Sequence, residues 1–205
     1  MDFRVMLGAA VAVAGILAIG APAQAATAFD NFAAGNVSDC CSGDNVESSL
    51  DSGMTFTSSL GGAVDEIDLA LSLSHLPDVD AVVSLWTNNF GAELGHWEVT
   101  PTDIFPLDDI PMVSITGITG VQVQAGQTYA LDAVGVGGAL DVWNANTTGS
   151  VGDVWQNGVD YGSGPLGAFR VLVAVPEPTT WTMMLIGFGA LGAAVRARRA
   201  AALAA

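Results

Sequence analysis

Along much of this chain, apolar and polar residues alternate one by one. Ile67, Leu69, Leu71 and Leu73 alternate with Asp68, Ala70 and Ser72, which puts one set on each face of an extended strand. Just upstream, Met54, Phe56 and Ser58 alternate with Thr55 and Thr57, and Gly61-Gly62 between the two runs predicts a hairpin. Residues 80–87, with Ala-Val-Val-Ser-Leu-Trp at their centre, predict a more fully buried strand. Further strands are expected over residues 96–100, 112–116, 121–124, 128–134, 140–143 and 168–174. Turn residues separate them at 88–89, 106, 117–120, 125–126, 135–138 and 162–165. No segment of this region sustains a helical period. The pattern predicts an all-β domain, an antiparallel β-sandwich of jelly-roll-like or immunoglobulin-like form, with no repeat and no second domain.

The alternation stops at both ends. Arg4 precedes an apolar run over residues 5–19, and Ala21-Pro22-Ala23-Gln24-Ala25 supplies an A-x-A site. A charged start, an apolar centre and small residues at Ala23 and Ala25 predict a signal helix cut after Ala25 by signal peptidase. At the other end, Val175-Pro176-Glu177-Pro178-Thr179-Thr180-Trp181 leads into residues 181–195, which carry no charge, and then Arg196, Arg198 and Arg199. An uncharged helix of this length spans about two-thirds to four-fifths of a ~30 Å hydrocarbon core. Trp181 suits one headgroup level and the arginines can snorkel to the cytoplasmic one, so a short, transient transmembrane helix is expected. Gly189 and Ala193 form a small-xxx-small pair of the kind that permits close helix approach in a bilayer.

The ordered trio of Pro176-Glu177-Pro178, a Trp-led apolar segment and a terminal arginine cluster resembles the PEP-CTERM protein-sorting signal, in the variant with a Trp three positions after the second proline. The resemblance covers roughly the last thirty residues. It implies processing by exosortase, a membrane-embedded cysteine transpeptidase, near Pro176-Glu177-Pro178. The chain then divides into a signal peptide (1–25), an extracellular domain (26–174) and a sorting tail (175–205).

Between residues 26 and 175 stand 19 acidic residues and one basic one, Arg170, and no lysine occurs anywhere. A body of formal charge −18 lacks the cations that nucleic acid or anionic lipid would require. Phe29-Asp30-Asn31-Phe32, Asp39-Cys40-Cys41-Ser42-Gly43, Ile67-Asp68-Leu69-Ala70-Leu71, Ala125-Gly126-Gln127-Thr128-Tyr129-Ala130-Leu131, the segment from Trp143-Asn144-Ala145-Asn146-Thr147-Thr148-Gly149 and Ala168-Phe169-Arg170-Val171-Leu172 are together similar to the choice-of-anchor R domain. That resemblance implies a bacterial extracellular β-rich domain and transfers no catalytic residue.

Candidate chemistry is sparse. Cys40 and Cys41 are adjacent in a chain expected in an oxidising compartment, which admits a vicinal disulfide, two free thiols or an intermolecular link. His75 and His96 are too few for zinc. Asp39, Asp44, Glu47 and Asp51, expected in one polar loop, are candidate calcium ligands, although the spacing is not that of an EF-hand. No motif selects a carboxylate pair for glycoside hydrolysis, and no Gly-x-Ser-x-Gly, phosphate-binding loop or His-Glu-x-x-His occurs. Of the tryptophans, Trp143 and Trp155, flanked by polar and glycine-rich sequence, are the expected exposed pair for stacking on a glycan. The expectation is a non-enzymatic surface or matrix protein among exopolysaccharides, without a resident cofactor, with a carbohydrate-binding module as one alternative and a glycan hydrolase as another.

Overall fold

A computed structural model of the chain describes residues 24–47, 51–73, 81–100, 102–103, 112–136, 140–175 and 178–203. The strands are β1 (Gln24–Asp30), β2 (Ser38–Glu47), β3 (Asp51–Thr57), β4 (Gly62–Leu69), β5 (Leu71–Leu73), β6 (Ala81–Thr87), β7 (Glu93–Val99) and β8 (Thr102–Asp103). They continue as β9 (Val113–Thr116), β10 (Gln122–Val123), β11 (Thr128–Gly135), β12 (Leu140–Asn146), β13 (Val151–Gln156), β14 (Val159–Pro165) and β15 (Phe169–Val175). A 3-10 turn, Asn88–Phe90, follows β6, and the tail forms α1 (Pro178–Leu203).

The strands make three sheets. The first runs β1-β15-β4-β10, with β9 also paired to β4; the second runs β14-β13-β3-β11-β6-β7; the third runs β2-β12-β5-β8. Pairing is antiparallel except between β5 and β8. All three sheets feed one core. Ile67, Leu69, Phe169, Val171 and Val173 come from the first sheet, Met54, Phe56, Leu85, Tyr129 and Leu131 from the second, and Val46, Leu71 and Trp143 from the third. Rings join them: Phe169 lies 4.6 Å from Phe29, 5.4 Å from Phe56 and 5.7 Å from Trp143, centroid to centroid. Aromatic contacts of this kind add to the burial energy of each side chain.

The predicted antiparallel all-β fold is therefore present, but one local expectation is overturned. The runs around Gly61-Gly62 do not form a hairpin. β3 belongs to the second sheet and β4 to the first. Met54 and Phe56 of β3 and Ile67 and Leu69 of β4 enter the same core, so the intervening turn carries the chain from one layer to the other. Ser58 anchors this crossing, donating its hydroxyl to Leu60 O at 2.6 Å and accepting at its carbonyl from Gly126 N.

Polar residues inside the body bind backbone that would otherwise be unpaired. The buried Asn31 donates from Nδ2 to Gly167 O at 2.8 Å and accepts from Phe169 N at 2.7 Å. Asn144 donates to Ala70 O and Ser72 Oγ, both at 2.9 Å. Asn146 organises the turn into β13, donating to Leu166 O and accepting from Thr148 N and Ser150 N.

Candidate functional site

The body's most unusual chemistry lies on the outer face of the second sheet. Cross-strand register lines up Asp160, Trp155, Gly53, Asp132, Ser84 and His96, one from each strand. Antiparallel partners share a face, so this is one row across six strands. Phe90 closes over its centre. It takes the left-handed backbone region at φ 57, uncommon for a bulky residue. A Cβ at position 53 would sit 2.2 Å from Phe90 Cζ, so glycine there makes the ring's seat. The ring packs edge-on to Trp155 at 5.3 Å and tilted to Trp86 at 6.1 Å.

The cover leaves Asp132 only 8% exposed. Burial, with the charge of Asp51 adding to it and a hydrogen bond from the Ala133 backbone opposing it, pushes the Asp132 carboxyl up to about 7. Asp51 is held differently: its Oδ1 accepts from Asn157 N, and its own N–H donates to Asn157 Oδ1 at 3.2 Å. Asp51, Gly53, Phe90, Asp132, Trp155 and Gly158 line a cavity of about 30 Å³. The buried Nε1 atoms of Trp86 and Trp155 make no hydrogen bond among the described residues. Two indole donors, aromatic faces and a carboxyl near its titration midpoint at neutral pH are a set that recognises hydroxyl groups. The cavity itself has room for about one water molecule, not for a sugar ring.

A second polar row crosses the outer face of the first sheet, where Asp30, Arg170, Asp68 and Ser114 are successive partners. Arg170 donates to Asp68 Oδ2 from Nη2 at 2.6 Å and from Nε at 2.9 Å, and Ser114 Oγ donates to Oδ1 at 2.5 Å. The body's sole arginine is thus spent on a fold contact. Neighbouring Glu66 has its carboxyl pushed upward, by burial first and then by its hydrogen bond and charge interaction with Asp68.

The structure redistributes the residues expected to carry chemistry. Trp143 is fully buried, its Nε1 donating to Ala168 O at 3.1 Å, so it cannot stack on a glycan. Its ring lies where a Cβ on Gly167 would come within 2.5 Å. Trp155 is half-buried at the outer-face row, and its exposed partner is replaced by Trp86 and Phe90. Asp39, Asp44 and Glu47 lie on β2, not in a loop, and Asp51 lies on β3 in a different sheet. Among the described residues, no group of three or more His, Cys, Asp or Glu could hold a metal ion. Cys40 and Cys41 fall where the β2–β12 register jumps from Gly43↔Asn144 to Asp39↔Ala145; their side chains, like those of Asp44 and Glu47, lie outside the described residues. His75 lies outside them as well, as do Ala23, Pro176 and Glu177, while exposed His96 contacts Glu93. Sequence reasoning missed Asp132, Phe90 and Gly53. One signal was available, a carboxylate inside the otherwise apolar run Tyr-Ala-Leu-Asp-Ala-Val.

The tail begins as β15 ends. Pro178 starts α1, where a missing N–H and a fixed φ favour helix initiation. Leu185, Ile186, Phe188, Leu191 and Val195 are exposed, as are Arg196, Arg198 and Arg199; the side chains of Pro178 and Trp181 lie outside the described residues. Among the described residues no helix is long and apolar enough to cross a membrane. The uncharged part, residues 181–195, extends about 22 Å as a helix, the short reach that the sequence predicts.

The antiparallel β-domain is thus followed by an apolar helix that begins at Pro178 and carries an arginine cluster toward its end. Residues 174–199 match the PEP-CTERM protein-sorting motif. The motif indicates export, transient anchoring at the membrane and exosortase-dependent sorting to the cell surface. No curated protein matches the chain.

Proposed function

We propose that the chain is a non-enzymatic component of the cell surface or extracellular matrix, secreted by way of its N-terminal leader and released from its tail among exopolysaccharides. The observation that carries this reading is where the fold stops. β15 ends at Val175 and the sorting motif spans residues 174–199, so a cut near Pro176-Glu177-Pro178 leaves every described ladder of the body intact. The resemblance to the choice-of-anchor R domain supports an extracellular role. Intact mass of the extracellular protein should show loss of residues beyond Pro176-Glu177-Pro178. Replacing those three residues by alanine should retain the protein in the inner membrane, and a full-length tail on the released wild-type protein would defeat the reading.

A second reading is a carbohydrate-binding module, and the outer-face cluster favours it specifically. The half-buried rings of Trp86, Phe90 and Trp155, grouped at the surface of the sheet, suit stacking against a sugar lying across it. Polysaccharide should then quench tryptophan emission, and Trp155→Ala should abolish the quenching. A glycan-array screen with and without calcium identifies the sugar and any role for the ion; no quenching and no array signal in either condition would leave the matrix role without this activity.

A further inference from the structure

The first and last strands of the body are neighbours, and their register places two processing points side by side. β1 pairs with β15 so that Gln24 lies opposite Val175, Ala25 opposite Ala174 and Ala26 opposite Val173. Gln24 and Ala25 are the last residues of the expected leader, and Ala174 and Val175 are the last before Pro176. On its other side β15 pairs with β4, and that ladder ends at Ala174↔Ala63. Among the described residues Val175 therefore has one ladder partner, Gln24.

We propose that the end of the leader masks the sorting junction, so that removal of the leader must precede exosortase cleavage. The inference rests on the sorting reading above and adds an order to it. Signal peptidase hydrolyses the Ala25–Ala26 bond: water adds across it, Ala25 keeps the new carboxylate and Ala26 the new amino group. Gln24 and Ala25 leave with the leader. Val175 then has no strand beside it and Ala174 has one on a single side, while Ala26 onward still holds Val173. What is freed is a short extended segment adjoining Pro176-Glu177-Pro178, the form in which a peptide can dock as an added strand. Before the leader is cut, the same segment must be unzipped first. Two ladder hydrogen bonds at ordinary net strength reduce the open population roughly ten- to thirty-fold.

The test uses the full chain in cells, with the leader and the tail followed by pulse-labelling and intact mass. In the wild type, a leaderless form still carrying its tail should appear first, and a form with its leader but without its tail should not accumulate. Ala25→Leu removes the small residue at the cut and keeps the strand pairing; its tail should be lost about ten-fold more slowly or not at all. The double variant Q24P/A25P also blocks the leader cut but removes both N–H donors from this end of β1, and its tail should be lost at close to the wild-type rate. Tail loss from Ala25→Leu at the wild-type rate would overturn the inference, and so would retention of the tail in Q24P/A25P. A wild-type protein that keeps its tail throughout would instead overturn the sorting reading, and the inference with it.

Discussion

Asp132 shows how one residue's environment becomes a property of the whole protein. Its carboxyl faces outward from the sheet, yet Phe90 covers it, and burial raises it to about 7. An unfolded aspartate titrates near 4. Between those values the folded chain holds a proton that the unfolded chain gives up, so the contribution of Asp132 to stability falls as pH rises through that range. Below about pH 4 both states are protonated and the cost vanishes; above about pH 8 it is complete, at about 4 kcal/mol. Asp132→Asn should therefore stabilise the body at pH 8 by about that amount and change little at pH 4.5. Urea unfolding of both proteins at the two pH values measures the difference, in which the remaining carboxylates cancel. A stabilisation equal at both pH values would show that the carboxyl is not held protonated.

At the scale of elements, the sequence pattern is most informative where one face of a strand is core. β6, β11 and β15 lie close to where apolar content and alternation place them, because β-strand side chains point alternately to opposite faces. β2 reads as a polar loop because Asp39, Asp44, Asn45 and Glu47 dominate it, although Val46 is buried in the core. The hairpin of β13 and β14 escapes the pattern altogether. Its turn, Asn157-Gly158, takes the left-handed region at both residues, φ 52 and φ 70, which is the backbone demand that an Asn-Gly pair meets. Trp143 is misplaced for a related reason. Its polar neighbour Asn144 looks solvent-facing in sequence, but it is buried and satisfied by Ala70 and Ser72. Local hydropathy cannot register a partner more than seventy positions away. The outer-face site is legible through Trp155 and through the place of Asp132 in an apolar run, but not through Phe90, which reaches Gly53 by a backbone conformation that no hydropathy pattern encodes.

The ion pair joining β15 to β4 carries a prediction at the same scale. The Asp68 side chain is fully buried and that of Arg170 is 21% exposed. Removing one partner of a buried pair strands the other charge, which typically costs about 3 kcal/mol or more. Asp68→Ala should lower the melting temperature by about 6–12 °C for a domain of this size. The double variant Asp68→Leu with Arg170→Leu should recover much of that loss, because apolar replacements of similar volume leave no unpaired charge. A thermal melt of the three proteins decides it. A destabilisation below about 1 kcal/mol in Asp68→Ala would mean that the pair behaves as an exposed one.

For the whole molecule, charge and apolar surface are segregated along the chain. Residues 26–175 hold 19 acids against one arginine, while Arg196, Arg198 and Arg199 follow the apolar run of the tail. The arginine of the body is already paired with Asp68, so no free guanidinium in the body can hold an anionic bilayer. Each arginine of the tail near such a surface contributes about 1 kcal/mol of attraction, in addition to apolar insertion. The tail is therefore the adhesive segment, and the body an anion that a membrane of like charge repels. A protein spanning residues 26–175 should remain in the supernatant when sedimented with vesicles rich in anionic lipid, at low salt as well as physiological salt. A chain spanning residues 26–205 should sediment with them. Arg196→Glu, Arg198→Glu and Arg199→Glu together should cut that binding by about 100-fold or more at low salt, since three cations that attract the surface become anions that it repels. Rising salt should narrow the gap as the surface potential is screened. Sedimentation of the body alone would mean that an affinity other than charge resides in the β-domain. Its absence makes tail removal sufficient to release the protein, because the cut takes away the apolar helix and its three cations in one step and leaves behind only the polyanionic domain.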